Sequence, residues 1–124
     1  MADKTPPREG EILLYTGPSG AIRVEVLFEN ESFWLTQKRM AELFDVDVRT
    51  ISEHLQNLFK TGELMEDSVI RKFRITASDG KSYLTSFYDL DAIIAVGYCF
   101  NSRQTAQFRK WESVLRPQSH YVGA

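Results

Sequence analysis

Cysteine is almost missing from this chain. Cys99 is the one thiol, which excludes an internal disulfide framework and any multi-cysteine zinc site. Histidine is nearly as scarce, with only His54 and His120, so no metal site is expected, and no cofactor. A long hydrophobic run is missing too. The longest, Ala92 to Phe100, is about half of what a bilayer-spanning helix needs. The polar N-terminus, MADKTPPREGE, contains no apolar secretory segment. No membrane partner is expected, and the default location is cytoplasmic. Positive charge is not in excess either: Lys and Arg number 15 against 17 Asp and Glu, for a net charge of -2. That excludes a basic protein coating nucleic acid regardless of sequence, but not a specific binder with a local basic face. Finally, the chain carries no Walker loop, HExxH or GxSxG, and no motif fixes a carboxylate pair. It reads as a non-enzyme.

What is present suits one ordinary domain. The 124 residues are 43% apolar and 26% charged, enough for a core without metals or disulfides. Residues 1–9 are charged, carry Pro6-Pro7 and read as a flexible tail. Ile12 to Tyr15 form a short apolar run ended by the turn signal Gly17-Pro18-Ser19-Gly20. Ile22, Val24, Val26 and Phe28 then alternate with Arg23, Glu25 and Leu27, a half-buried strand, so the pair reads as a β-hairpin. After the turn Glu29 to Ser32, Phe33-Trp34-Leu35 is a short strand or lid.

Helical spacing follows. Thr36 is placed as an N-cap, with Met40, Leu43 and Phe44 behind it. Asp45-Val46-Asp47 breaks this helix. A second runs from Val48 to Lys60, capped by Asp47 and ended by Gly62, with Ile51, Leu55, Leu58 and Phe59 on one stripe. From Arg71 the period returns to two. Asp79-Gly80 is a two-residue hairpin signal that would pair Ile75 with Leu84 and Arg74 with Thr85. Asp89 caps an apolar helix, Leu90 to Phe100. Asn101-Ser102 breaks it, and a last helix from Arg103 to Arg116 carries Phe108, Trp111 and Leu115 on one face. Cys99, inside the apolar run, reads as a core thiol. The expected fold is α+β: a winged helix-turn-helix over residues 10–88 with an N-terminal β-hairpin, then a C-terminal helix pair over 89–116 on the same core. Residues 117–124 read as a frayed tail.

Two short helices joined by a three-residue break and followed by a basic hairpin suit DNA recognition, the second helix presenting its polar face to the major groove. On a wheel anchored at Ile51 that face holds Arg49, Thr50, Glu53, Gln56, Asn57 and Lys60, flanked by Ser52 and His54. Arg suits guanine, Gln and Asn suit adenine, Glu suits cytosine, and Ser and Thr suit either. Lys72, Arg74 and Lys81 on the hairpin suit phosphates. Thr36 and Gln37, at the start of the first helix, complete the candidate site. The stretch Met40 to Leu55 resembles the helix-turn-helix of Crp-like bacterial regulators: small Ala41 at the helix crossing, Val46 in the turn and Ile51 as anchor. Asp45 stands where that motif usually has glycine, and Glu53 where a basic residue is common. The first is tolerated because aspartate enters the left-handed region readily. The second places a phosphate-repelling charge on the contact face.

Phe33-Trp34-Leu35-Thr36-Gln37, Gly62-Glu63-Leu64 with Glu66 to Val69, Tyr88 to Tyr98, and Gln107 to Trp111 together resemble the N-terminal region of the RhuM family of virulence- and mobile-element-associated bacterial proteins. The likeness spans Ile12 to Trp111, and Ala106 to Leu115 is also similar to the end of Bro-N and KilA-N phage domains. Cys99 departs from the family's usual basic residue, and Glu112 to Gln118 leave its pattern. The resemblance implies sequence-specific binding of double-stranded DNA in a regulatory role, with a homodimer and either a further C-terminal region or a protein partner expected. The rival reading is a protein-interaction module, antitoxin-like or adaptor, that uses the same fold without DNA.

Overall fold

Alternation in the first third of the chain produces a sheet with two different faces. The computed structural model describes residues 7–76 and 79–115. In it β1 (Ile12–Thr16), β2 (Arg23–Glu29) and β3 (Ser32–Trp34) form an antiparallel sheet in that order, with Tyr15 opposite Val24 and Phe28 opposite Phe33. Tyr15, Val24, Val26, Phe28 and Phe33 point to one side and are buried. The β2–β3 turn places both Asn30 and Glu31 at positive φ, as a two-residue hairpin demands. The Glu9 carboxylate accepts from both their N–H groups, at 2.6 and 3.1 Å. The chain is thus tied from Glu9 onward. Arg8 is tied as well, its N–H donating to the Glu11 carboxylate at 2.8 Å. Residues 1–6 and 116–124, which include the rest of the expected tails and the expected last residue of the final helix, lie outside the described residues.

Among the described residues five helices accompany the strands, in an α+β arrangement. They are α1 (Gln37–Phe44), α2 (Val48–Lys60), the single turn α3 (Glu66–Val69), α4 (Leu90–Phe100) and α5 (Ser102–Leu115). No helix among the described residues is long and apolar enough to cross a membrane. α1 begins as expected, the Thr36 hydroxyl accepting from the Arg39 N–H at 3.1 Å. Asp45 ends it in the left-handed region, φ 57° and ψ 50°. Asp47 occupies the N-cap of α2 without a side-chain capping bond. Ile51, Leu55 and Leu58 face inward from α2, and Ala92, Ile93, Val96 and Phe108 from α4 and α5, completing the core over the sheet. Tyr15 packs edge-on against Phe108 and Trp111, at 5.2 Å from each ring. Burial there raises its phenol above the ordinary value.

The second hairpin, β4 (Ile70–Thr76) and β5 (Ser82–Tyr88), corrects an expectation. Ile75 pairs with Tyr83, Arg74 with Leu84 and Phe73 with Thr85, one residue away from the register that an Asp79-Gly80 turn requires. The connection is the longer segment 77–81, of which 77 and 78 are outside the described residues. A slip of one moves alternate side chains to the other face. Leu84 therefore leaves the apolar face expected for it and joins Arg74. The apolar face consists of Phe73, Ile75 and Phe87, and it packs on Leu27 and Trp34, on the outer side of the first sheet. Trp34 meets Phe73 edge-on at 5.3 Å, and the Arg71 guanidinium lies 5.8 Å from the Trp34 ring. Leu35 and Tyr88 exchange both backbone hydrogen bonds, at 3.0 and 2.8 Å, and so stitch the hairpin to the end of β3.

Cys99 is a second correction: it is exposed, its thiol reaching the Ala95 carbonyl at 3.5 Å. α4 buries Ala92, Ile93, Val96 and Gly97, and Tyr98 and Cys99 fall on the opposite side of that stripe. An apolar run does not say which of its members face outward. Gly97 sits at a close approach of three helices. A Cβ there would collide with the Thr105 hydroxyl of α5 and come within 2.6 Å of the Phe44 ring of α1. Gly97→Ala is expected to lower unfolding stability by about 1–3 kcal/mol, as overpacking does. Adding Phe44→Leu should restore part of the loss in urea titrations; a purely additive double variant would show that the two sites are uncoupled.

The cap of α4 generates a further prediction. The Asp89 carboxylate accepts from the Ala92 N–H at 3.3 Å, while partial burial raises its pKa above the ordinary 3.8, more than that hydrogen bond lowers it. The native state therefore favours the protonated acid more than the unfolded chain does. That contribution is full below 3.8 and is lost as pH rises through the raised value. Asp89→Ala should cost about 1 kcal/mol by removing the cap. Asp89→Asn keeps an acceptor without the charge, so it should equal or exceed the wild type near neutral pH, with the difference shrinking in acid. Denaturant midpoints across pH check the sign.

Candidate nucleic-acid interface

α2 is aimed by what lies before it. Three residues, 45–47, separate it from α1. Asp45 in the left-handed region reverses the chain, and the Val46 N–H donates to the Ala41 carbonyl at 3.0 Å. Ala41 and Ile51 are buried between the helices, and Val46 packs on the same core. These are the positions where the sequence placed the crossing residue, the turn residue and the anchor. With Ile51, Leu55 and Leu58 committed inward, the opposite side of α2 must face solvent.

Arg49, Glu53, Gln56, Asn57 and Lys60 are all exposed there, and Thr50 and Ser52 are half-buried beside them. His54, at the flank, packs against Phe100 of α4 with the rings tilted and 4.8 Å apart, so its ring helps hold α2 in place. One carboxylate, Glu53, sits among the cations Arg49 and Lys60 and the amides Gln56 and Asn57. The chemistry on offer is donors and acceptors for base edges, with charge for phosphates at both ends of the helix.

Thr36 and Gln37 are used differently. The Thr36 hydroxyl caps α1, and the Gln37 amide donates to the Tyr88 hydroxyl at 2.8 Å, holding α1 to β5. The structure does not place their polar groups with the α2 face. Spacing carried no sign of the Gln37–Tyr88 bond, since its partners are 51 residues apart.

The hairpin cations form a separate group. Lys72 and Arg74 are exposed on one face of β4, with Ser86 and Leu84 opposite them on β5. Lys81 lies in the connecting segment, where its N–H donates to Asp79 at 3.0 Å. The exposed site residues thus divide between one face of α2 and the hairpin, where Lys72 and Arg74 share a face and Lys81 lies in the connection, while Thr36 and Gln37 belong to neither. Leu84 belongs with the second group and was missed, because the turn signal misplaced its register. Arg39 at the start of α1 is occupied by Glu25 at 2.9 Å and Glu42 at 3.5 Å. On α5, Arg103 and Lys110 are exposed, and Arg109 bonds the Tyr98 hydroxyl at 3.3 Å, which raises its pKa further.

A groove between α4 and α5, about 480 Å³, is lined by Leu90, Asp91, Ile94, Ala95, Arg109, Glu112 and Ser113. Among the described residues no group of three or more His, Cys, Asp or Glu could hold a metal ion.

Residues 68–119 match the model of the Virulence protein RhuM family. The match takes in the end of α3, the hairpin, α4 and α5, and extends past the described residues. α1, the turn and α2 lie outside it, so the N-terminal part of the likeness, and the likeness to Bro-N and KilA-N domains, rest on the sequence motifs alone. No curated protein and no solved structure matches the chain. Over its C-terminal part the chain is similar to the RhuM family.

Proposed function

We propose that this chain binds double-stranded DNA sequence-specifically, with α2 as the recognition helix and the β4–β5 hairpin as a wing. The observation that carries the reading is the α1–turn–α2 geometry. A left-handed Asp45 and a buried Ile51 leave Arg49, Glu53, Gln56, Asn57 and Lys60 together on the exposed side of α2. Among the described residues their side chains make no hydrogen bond or ion pair within the chain, so the groups that would read bases are available. The Leu35–Tyr88 bridge supports the reading, because it joins the strand before the helix pair to the hairpin after it, as a winged helix-turn-helix requires. The role is regulatory, in a virulence or mobile-element setting and in the cytoplasm. Two copies would read two half-sites one helical turn apart.

A second reading, a protein-interaction module, draws on Ile12 and Leu14. These two large apolar residues are exposed on the edge strand β1. A bare apolar edge invites a pairing partner.

The readings separate on simple variants. Arg49→Ala should weaken binding to a selected duplex by roughly 1–3 kcal/mol, the worth of a bidentate base contact, while leaving the unfolding midpoint unchanged. Unchanged affinity in a mobility-shift titration at fixed salt would favour the interaction module.

Replacing Lys72, Arg74 and Lys81 together by Gln tests the wing. Binding should weaken about equally for all sequences, and the slope of log affinity against log salt should flatten by roughly two to three. Glu53→Gln should tighten non-specific binding by removing a repelling charge. If the slope stays and Glu53→Gln does nothing, neither element meets DNA.

A further inference from the structure

The outer face of the hairpin combines exposed cations with an exposed apolar side chain. Beyond the Ile70–Tyr88 pair at its base, which is turned into the main core, it presents Lys72 with Ser86, Arg74 with Leu84, and Thr76 with Ser82. Cations and small hydroxyls surround one large apolar side chain, and Leu84 is 58% exposed. The inner face packs through Phe73, Ile75 and Phe87 on Leu27 and Trp34, while at the base of the outer face Ile70 and Tyr88 pack into the main core. The Trp34–Phe73 and Phe73–Phe87 ring contacts, at 5.3 and 5.6 Å, back the ribbon with a stiff aromatic stack. The observed register, and not the one expected from Asp79-Gly80, moves Leu84 outward between the cations.

We propose that Leu84 is a wedge: the outer face of the β4–β5 hairpin enters the minor groove of duplex DNA, and Leu84 partly unstacks a base step and kinks the duplex. The proposal rests on the DNA-binding reading above and adds a mode of action to it. Charge complementarity selects the occupant. Lys72 and Arg74 can neutralise phosphates beside the insertion point, which anchors the ribbon while the leucine enters. Ser82, Ser86 and Thr76 supply donors and acceptors that suit the degenerate minor-groove edge. Inserted apolar side chains of this kind bend DNA away from the protein by roughly 20–90°. The cost is least at flexible pyrimidine–purine steps, so affinity should favour a TA step at the point of insertion. A partner protein would gain little from a lone leucine hemmed in by cations and hydroxyls.

The test is a bending measurement on the full chain. The probe is a duplex of about 30 base pairs with a central TA step and a donor and acceptor dye on its ends, at fixed salt. Wild type should shorten the end-to-end distance on binding. Leu84→Ser should still bind, several-fold more weakly, but leave the duplex straight. Leu84→Met, which keeps an apolar wedge, should restore bending. Because Leu84 is exposed, each variant should keep the wild-type unfolding midpoint. Wild type that binds without bending, or Leu84→Ser that bends as well as wild type, overturns the wedge and leaves DNA binding intact. Failure of wild type to bind this duplex, and to enrich any duplex from a random pool, overturns both. A Leu84→Ser variant whose oligomeric state falls, measured by sedimentation, places the leucine between two copies and also overturns the wedge.

Discussion

Three consecutive residues hold this structure together. Phe33 enters the main core, Trp34 points the other way into the cluster under the hairpin, and Leu35 exchanges two backbone hydrogen bonds with Tyr88. Alternation along a strand makes such a division automatic, since neighbours point to opposite faces. The consequence is that a short strand couples two hydrophobic clusters, as β2 does through Phe28 and Leu27 and β5 through Tyr88 and Phe87. α1 starts directly after it, so its position is inherited from this junction, and the Gln37–Tyr88 bond strengthens the tie. The hairpin's aromatic face and the helix pair are thus referred to one fixed point.

From that point the placement of α2 follows by packing. α1 is held against α4 at Gly97, where the missing Cβ lets the Phe44 ring and Thr105 close in. α2 is then held by Ala41, Ile51 and Leu55 in the core and by His54 against Phe100. Interiors packed at crystalline density transmit such constraints with little give. The exposed face of α2 is therefore rigidly presented, as a surface that reads base edges must be. The similarity to the RhuM family falls on the C-terminal part of the chain, which carries the hairpin and the α4–α5 support. The recognition face proposed for α2 stands on its own geometry.

Local signals in the chain were legible where the chemistry was local. Thr36 and Asp89 cap the helices they precede, Asp45 takes the left-handed conformation at the break, and α2 spans Val48 to Lys60 with its stripe buried as its periodicity implies. Each of these depends on residues within a turn or two of one another. The candidate site was legible to the same extent: its α2 members share one outward face because helical periodicity alone dictates it.

What needed the folded chain was everything decided across distance. The Asp79-Gly80 pair carries a valid turn preference. Yet the hairpin takes the register that seats Phe73, Ile75 and Phe87 on Leu27 and Trp34, and burial of that aromatic surface outweighs the local turn preference. Leu27 looked like an outward residue and is buried, because the sheet is covered on both sides. Cys99 looked buried and is exposed, because α4 lies against its neighbours on one face only. Thr36 and Gln37 looked available and are engaged in holding α1. Sequence by itself determined where the longer helices and strands lie and the buried stripe of α2, since those follow from periods of 3.6 and 2, but not the single turn α3 or the outward sides of α4 and β5. Tertiary structure decided which apolar faces meet, and with that which side chains are left free for a partner.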